Sequence, residues 1–312
     1  MKMLCHIFQN KTDVIPLAGG RNNKLFLGKD VIKQNPLVIK AFPLTHCERF
    51  KREVLFLEQC RLLNISQVPI IVDKCEKHLC VSMTMVPGAS ILAFSKKEEN
   101  DIFDFITTIQ KITFLKKHLP SLVAIEAVTR IEDFDASIIS RINYLKNNLS
   151  NLLKESRLEN IISKIQKYLN SSKYQFDSDQ LVNLIQNTIT VLDTNSNFIS
   201  TSDFGVHNCK RDANKLFFID FEYSGLDSGI NFIGDLMMQP DTKWESGDQF
   251  SLGLRLLDEL FGVQSISKGS IERLFGIRWA LIIINRLNNS ISEEDKDQYA
   301  GKIISYFNEL PI

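Results

Sequence analysis

Short runs of apolar and β-branched residues occupy the first 87 positions of the chain, and such runs are typical of strands. The runs cover residues 25–27, 37–42, 68–72 and 79–85. One helix is predicted among them over residues 48–63, because apolar residues recur there every three or four positions. A Val-Pro-Gly segment at residues 86–88 then breaks the pattern. We therefore predict a small antiparallel sheet with one helix over residues 1–87.

From residue 88 onward the apolar pattern takes the longer period of helices. Helical periodicity covers residues 97–118, 131–149, 151–170 and 178–193, and it resumes after residue 248. Strand-like runs interrupt this helical pattern at residues 198–200, 208–210 and 216–220, and residues 211–215 are predicted to form a hairpin turn. The chain is therefore predicted to be α+β, with a sheet lobe over 1–87 and a larger, mainly helical lobe over 88–312.

Composition limits the class of protein. Lys and Arg number 37, as do Asp and Glu, so the formal net charge is zero and no nucleic-acid or membrane partner is indicated. The longest apolar stretch, around residues 279–284, falls far short of the roughly 20 residues that cross a bilayer. Six scattered cysteines without a Cys-x-x-Cys pair indicate reduced thiols rather than a zinc site, and hence a cytoplasmic protein.

The strongest candidate chemistry lies in two segments, TSDFGVHN and IDFE. Asp203 is followed after four residues by Asn208, and Asp220 comes later on a second strand-like run. A hairpin between the two runs would return Asp220 to the side of Asn208, with Asp203 on the preceding loop. Phosphoryl transfer needs a carboxylate that meets the acceptor hydroxyl, together with oxygen ligands for Mg²⁺. We therefore predict that Asp203 is the catalytic base and that Asn208 and Asp220 are metal ligands.

Lys40 lies inside an apolar strand, where burying an unpaired ammonium group would be costly. Glu53 on the predicted helix can supply the partner, with Glu48 and Glu58 as alternatives. Glu53 is favoured because its apolar neighbours turn that side of the helix toward the sheet. A lysine on a strand paired with a glutamate on a helix is the arrangement that places ATP phosphates in kinases. A solvated lysine and an exposed glutamate are the structural alternative.

A glycine-bearing turn precedes Lys40 in the chain. Gly19 and Gly20 permit close approach of the backbone, and N–H groups of such a turn can meet phosphate oxygens. Arg21 and Asn22 are candidate phosphate neighbours. An ordinary hairpin turn is the alternative, since the segment is neither Gly-x-Gly-x-x-Gly nor a Walker A sequence.

Three further polar residues surround the candidate site in sequence. His207 directly precedes Asn208, so a structural role near the catalytic loop is favoured over a role as general base. Asp235 is predicted to support the catalytic loop or to cap a helix. Asp227 is predicted to form a turn or a cap.

Together these residues resemble the aminoglycoside phosphotransferase and choline kinase group, which has the two-lobed protein-kinase-like fold. The resemblance spans roughly residues 14–240 and rests on the glycine turn, Lys40, Glu53 and the two motifs. It implies ATP and Mg²⁺ as cofactors, with backbone groups around Met83 and Met85 meeting the adenine. It also implies transfer of the γ-phosphate to a hydroxyl of a small polar metabolite, by a monomer or a homodimer.

Two positions depart from the common form of that group. Thr201 and Ser202 precede the aspartate in place of His-Gly, and Gly205 stands where many members carry a histidine. These departures leave the acceptor open among aminoglycosides, choline-like amines and sugars. A nucleotide-binding pseudokinase and a kinase-like enzyme that modifies a protein or transfers a nucleotidyl group are the alternatives. A purely helical interaction protein would leave Lys40 and Asp220 unexplained.

Overall fold

The computed structural model describes most of the chain as two compact units. The described residues are 5–17, 23–112, 123–125, 127–128, 131–148, 156–191, 198–213, 215–240 and 242–286. Unit 1 comprises Met1–Ile125, Ile199–Leu226 and Lys243–Ser246, and unit 2 comprises Glu126–Phe198, Asp227–Thr242 and Gly247–Ile312. Within the described ranges, none of the helices combines the length and the apolarity that a membrane span requires. The lobe boundary after residue 87 stays a prediction.

Strands and helices alternate as the α+β prediction requires. The strands are β1 (Lys11–Leu17), β2 (Lys24–Asp30), β3 (Pro36–Ala41), β4 (Ile71–Cys75), β5 (Cys80–Thr84), β6 (Ala89–Ser90), β7 (Phe198–Ser200), β8 (Cys209–Asp212), β9 (Lys215–Phe218) and β10 (Gly225–Asp227). The helices are α1 (His6–Gln9), α2 (Cys47–Leu62), α3 (Lys96–Ile109), α4 (Ile131–Asn148), α5 (Ser156–Leu169), α6 (Ser172–Val191), α7 (Gly229–Met238), α8 (Gln249–Phe261) and α9 (Lys268–Arg286). Short 3₁₀ turns lie at Leu44–His46, Glu76–His78 and Val206–Asn208.

Five strands of unit 1 form one antiparallel sheet in the order β1-β2-β3-β5-β4. Lys40 sits on the central strand β3, opposite Leu25 of β2 and Val81 of β5. Ile39, the residue before it, points to the other face and is fully buried. The alternation of side chains along β3 therefore places Lys40 on the face of the sheet opposite to Ile39.

Helix α2 begins one residue before the predicted segment and ends one residue earlier than predicted. Phe50, Val54 and Leu57 are buried along one stripe of the helix, as its apolar period indicates. Phe50 packs edge-on against Phe42, which follows β3, with ring centroids 5.7 Å apart. This contact ties the helix to the strand that carries Lys40.

A second, three-stranded sheet in the order β6-β8-β9 contains the predicted hairpin. Cys209 pairs with Phe218 and Asp212 with Lys215, so Ile219 and the residue after it return to the side of Asn208. Position 88, directly before β6, requires a glycine. Its φ is +94°, and a Cβ there would lie 2.2 Å from the carbonyl oxygen of Arg211. A side chain at this position is excluded by both strain and contact.

An aromatic stack lies beneath these elements in unit 1. Phe56 of α2 stacks on Phe221 at 4.4 Å between ring centroids, and Phe105 of α3 stacks on Phe218 at 4.1 Å. Phe204 lies 5.4 Å from Phe218. The stack thus joins the helix that carries Glu53 to the segments that carry Asp203 and Asp220.

Unit 2 contains a buried ion pair that the sequence did not indicate. The Asp177 carboxylate on α6 accepts hydrogen bonds from Arg273 Nε at 2.5 Å and Nη2 at 2.6 Å, and from the Tyr168 hydroxyl at 2.6 Å. Burial alone would raise the pKa of Asp177, but these donors outweigh it and hold that pKa below its usual range. The pair links α6 to α9.

A second buried network of unit 2 begins at Asp227, the last residue of β10, and continues into α7. Asp227 is buried and accepts the Val128 N–H at 2.9 Å and the Asn231 side-chain amide at 2.8 Å. Burial raises the pKa of Asp227 to about 7, against the effect of these donors. Asp235 lies inside α7 and pairs with Arg278 Nη1 at 3.2 Å. Ser228, not Asp235, caps this helix, while the other role predicted for Asp235, support of the catalytic loop, stays a prediction.

Candidate active site

Lys40 lies at the centre of a buried charge cluster in unit 1. Its Nζ is 2.6 Å from Glu53 Oε2, 2.7 Å from Asp220 Oδ1 and 3.0 Å from Glu222 Oε2. Lys40, Glu53 and Glu222 are at most 4% exposed, whereas the Asp220 side chain is 40% exposed. The predicted pairing of Lys40 with Glu53 is confirmed, and Asp220, 180 positions away in the sequence, meets the same ammonium group.

A second cation, Arg49, lies beside this cluster and pairs with Glu222. Arg49 Nη1 lies 3.4 Å from Glu222 Oε1, and its guanidinium group stacks 4.8 Å from the centre of the Tyr223 ring. Asn23 also donates a hydrogen bond to Glu222 Oε2 from its side-chain amide. Three carboxylates crowded around one ammonium group disfavour the ionisation of all three, so a cation or a proton is favoured here.

The pKa shifts follow from this crowding. Burial alone would lower the pKa of Lys40, but the charges of Glu53, Asp220 and Glu222 outweigh it and raise that pKa above its usual range. Burial, partly offset by Lys40, raises the pKa of Glu53 to about 7. Glu53 therefore takes up a proton as the pH falls through about 7, while Lys40 keeps its charge.

The raised pKa of Glu53 predicts a pH-dependent stability. Glu53 titrates near 4.5 in an unfolded chain and near 7 in the fold, so the folded chain binds the extra proton between these values. Its contribution is complete below about pH 4.5 and is lost as the pH rises through about 7. We expect the free energy of unfolding of wild type minus that of Glu53→Gln to fall over this window. Urea titrations at a series of pH values test this, and a pH-independent difference would contradict it.

The catalytic-loop candidates are held by short-range contacts. Ser202 has a φ of +63°, an uncommon value for a residue with a side chain. Its hydroxyl donates to the Ile125 carbonyl at 2.7 Å, and its N–H donates to Ser200 Oγ at 3.0 Å. The Asn208 amide donates to the Asp203 carbonyl at 2.8 Å. The loop is therefore fixed from both ends, and its strained residue directly precedes Asp203, a placement common at functional sites.

Asp203 presents its carboxylate at the surface of this loop. The side chain is 29% exposed, and its Oδ2 lies 3.3 Å from Nε2 of His207. The structural role predicted for His207 did not include this contact. The sequence carried no helical signal for this contact, because the 3₁₀ turn covers only Val206–Asn208 and Asp203 lies before it.

Asp220 follows β9 in a left-handed conformation. Its φ is +68°, and the preceding Ile219 N–H bonds to the Asn208 carbonyl at 2.9 Å. Asp203, Asn208 and Asp220 line one small cavity of about 10 Å³, roughly the space of one water molecule. The predicted convergence of these three residues is thus present in unit 1, while their roles in catalysis stay predictions.

Glu222 belongs to the IDFE segment, but no role was predicted for it. One oxygen each of Glu53, Asp220 and Glu222 lies within 4.8 Å of the other two, a spacing that could hold a metal ion. The signal was the repeat of acidic residues at positions 220 and 222, two apart beside the hairpin. Arg49 carried no comparable signal, since a basic residue on a helix is usually solvated.

The remaining predicted contacts have different outcomes. Gly19, Gly20, Arg21 and Asn22 lie outside the described residues. Met83 sits in β5 opposite Val38 and Ile71, and Met85 follows the strand with half of its surface exposed. The nucleotide contacts assigned to these residues stay predictions.

Comparison with known proteins shows the fold. No protein-family model and no curated protein sequence matches the chain. Similar solved structures include aminoglycoside phosphotransferase APH(2'')-Ib bound to ADP, at 15% identity and a TM-score of 0.52, covering 98% of this chain and 97% of that one. A thermostable mutant of aminoglycoside phosphotransferase APH(4)-Ia, in a ternary complex with AMP-PNP and hygromycin B, gives 11% identity and 0.55, covering 98% and 97%.

Choline kinase from Cryptosporidium parvum Iowa II is similar at 16% identity and a TM-score of 0.52, covering 95% of this chain and 88% of that one. The aligned residues cover most of this chain and most of each similar structure, so the likeness concerns the whole fold rather than one sheet. The chain therefore has the α+β, kinase-like fold of aminoglycoside phosphotransferases and choline kinases. At these identities the likeness concerns the fold alone.

Proposed function

We propose that this protein is an ATP- and Mg²⁺-dependent phosphotransferase that moves the γ-phosphate to a hydroxyl group of a small polar metabolite. The observation that carries the proposal is the convergence on Lys40, whose ammonium group contacts Glu53 of the helix and Asp220 of the hairpin. Asp203 and Asn208 line the cavity that Asp220 also lines. A structural ion pair alone would need only one of these partners.

The donor set fits Mg²⁺, which prefers oxygen ligands. Asp220 and Asn208 would hold the ion, with Glu222 as a further carboxylate beside them. Asn208 donates its amide N–H to the loop, so its side-chain oxygen is the atom that remains for a metal. When bound, Mg²⁺ would neutralise the negative charge of the ATP phosphates.

Lys40 would act on the phosphate donor, and Asp203 would act on the acceptor. The Lys40 ammonium group, held charged by its carboxylates, would pair with the ATP phosphates, and Glu53 would keep it in position. The Asp203 carboxylate would accept the proton of the acceptor hydroxyl while the hydroxyl oxygen bonds to the γ-phosphorus and the bond from that phosphorus to the departing ADP breaks. The contacts of Ser202 and Asn208 to the loop would keep that carboxylate in place during the step.

The acceptor class follows from the similar proteins only as a proposal. Their names specify aminoglycosides, choline and ethanolamine as substrates, and each of these compounds carries both a hydroxyl group and an amine. We propose a hydroxylated amine or a sugar. A cytoplasmic location fits the six cysteines, all of which are free thiols.

ADP formation with a panel of acceptors tests the proposed function. The panel contains hygromycin B, choline, ethanolamine, hexoses and nucleosides, each with Mg²⁺ and ATP, and mass spectrometry identifies any phosphorylated product. We expect ADP release to depend on one acceptor class and on Mg²⁺. Mg²⁺-dependent ATP binding without any phosphorylated product would favour a nucleotide-binding pseudokinase instead, and incorporation of phosphate into added protein would favour a protein-modifying enzyme.

A further inference from the structure

Three cysteines and one histidine meet at the end of the β4–β5 hairpin. Cys75 ends β4, Cys80 begins β5, and His78 lies in the 3₁₀ turn between them. Cys5, which directly precedes α1, reaches the same place from the start of the chain. These residues are separate from the Lys40 cluster and have no part in the proposed phosphoryl transfer.

The potential ligand atoms of this group are close together. Cys75 Sγ lies 3.3 Å from His78 Nδ1. The ligand atoms of Cys5, Cys75 and His78 all lie within 4.8 Å of one another. The Cys80 thiol donates a hydrogen bond to the backbone carbonyl of His78 at 3.2 Å, which places it beside this group. Three ligand atoms of the types that zinc prefers are therefore mutual neighbours, and the Cys80 thiol lies beside them as the candidate fourth ligand.

The distances are near those of a tetrahedral zinc centre. Zinc–sulfur and zinc–nitrogen bonds of about 2.3 and 2.0 Å place neighbouring ligand atoms roughly 3.5–3.8 Å apart. The Cys75–His78 distance of 3.3 Å is only slightly shorter than that range. The widest spacing among Cys5, Cys75 and His78 exceeds it by no more than about 1 Å, a contraction that side-chain rotation can supply.

The surroundings have the character of a closed structural site. Cys5, Cys75 and Cys80 are at most 7% exposed and belong to an apolar cluster with Phe26 and Ile39. His78 stands on the more accessible side of the group, where an ion can enter. Leu79, between His78 and Cys80, has a φ of +47°, which turns the chain sharply enough to place both neighbours on the same group.

We propose that Cys5, Cys75, Cys80 and His78 bind one Zn²⁺ ion as a structural Cys₃His site. Three thiols release their protons to solvent as three sulfur–zinc bonds form, and the neutral imidazole donates its Nδ1 lone pair. The ion would fasten the start of the chain to the hairpin that carries β5. Sequence spacing gave no sign of the site, because Cys5 comes from a distant segment and Cys75 and Cys80 are five residues apart.

Cobalt(II) binding to the full chain, purified under reducing conditions and stripped of metal, tests the site. Thiolate ligation of tetrahedral Co²⁺ gives intense sulfur-to-metal charge-transfer absorption, which oxygen ligands such as those around Lys40 do not give. We expect this absorption to saturate at one ion per chain and to be displaced by Zn²⁺. Its absence, or saturation without displacement by Zn²⁺, would overturn the proposal.

Variants separate the site from general binding to thiols. His78→Ala leaves the buried cysteines in place, so the chain should fold, and its Zn²⁺ affinity should fall more than about 100-fold, since even residues that only support a metal ligand are worth about 10–100-fold. Cys75→Ser should weaken Co²⁺ binding and reduce the charge-transfer absorption per bound ion, and Cys60→Ser, a buried cysteine outside the group, should change neither. Equal metal affinity in wild type and His78→Ala would contradict the site.

A disulfide is the chemical competitor, because Cys75 and Cys80 are directly paired across the two strands. Mass spectrometry of the unreduced protein, isolated without added metal, distinguishes the two. Zn²⁺ retained at one per chain with all six thiols free supports the proposal. A Cys75–Cys80 disulfide in the isolated protein, with no zinc retained, would overturn it. Neither outcome depends on whether the protein transfers phosphate.

Discussion

Replacing Asp203 with asparagine is expected to lower kcat by about 10²–10⁴-fold while leaving the affinity for Mg·ATP nearly unchanged, if the carboxylate acts as general base. Asparagine keeps the size of the side chain and can keep the contact with His207, but its amide cannot accept the proton of the acceptor hydroxyl. The Asp203 carboxylate lies on the loop and is not one of the groups around Lys40. Steady-state kinetics with the responsive acceptor, together with calorimetric titration of Mg·ATP, measures both quantities.

Asp212→Asn is the matched control for this experiment. Asp212 belongs to the same polypeptide segment, at the exposed end of β8, opposite Lys215. Its substitution should leave kcat within about twofold, since surface changes usually have small effects. Turnover by Asp203→Asn equal to that of the control would remove Asp203 from the role of base.

Replacing Lys40 with methionine is expected to lower the free energy of unfolding by about 3–5 kcal/mol at pH 8, because it leaves buried carboxylates without their cation. Methionine has a similar volume, so the loss reflects charge rather than a cavity. Glu53 and Glu222 remain almost fully buried, whereas Asp220 can be hydrated. The loss should shrink toward pH 5, as Glu53 takes up a proton. Urea denaturation at the two pH values measures the difference.

Lys29→Met provides the comparison for Lys40→Met. Lys29 forms an exposed pair with Asp13 at 2.9 Å, and an exposed pair of this kind is worth at most about 1 kcal/mol. Equal free energies of unfolding for Lys40→Met and Lys29→Met at both pH values would contradict the prediction that buried carboxylates depend on the charge of Lys40. Lys40→Met should also lose measurable affinity for Mg·ATP, which Lys29→Met should retain.

Local pattern was enough to predict the elements that carry the site. The apolar stripe of α2 and the apolar run of β3 each specify which face is buried, and together they determine that Lys40 and Glu53 meet. The strand predicted at residues 68–72 instead begins at Ile71, because the apolar residues before it include Pro69, which cannot donate to a sheet ladder. Strand β1 was not predicted, since it lies at the edge and most of its side chains are exposed.

Long-range convergence was the part that local pattern could not supply. Glu222 and Arg49 come together with Lys40 only through tertiary packing, in which Phe56 of α2 stacks on Phe221. The buried pair of Asp177 with Arg273 is of the same kind, because its partners are 96 positions apart. Residue types and spacing predict candidate chemistry, but burial and pKa shifts depend on which distant groups arrive beside them.

Thermal and denaturant unfolding with and without Mg·ATP tests the central proposal, a nucleotide site around Lys40 and Asp220, most directly. For wild type at one hundred times the dissociation constant, we expect ATP with Mg²⁺ to raise the free energy of unfolding by about 2.7 kcal/mol. The increase should disappear without Mg²⁺ and in Asp220→Ala, and it should persist in Asp212→Ala. No stabilisation of wild type by Mg·ATP, or equal stabilisation of Asp220→Ala, would contradict the account.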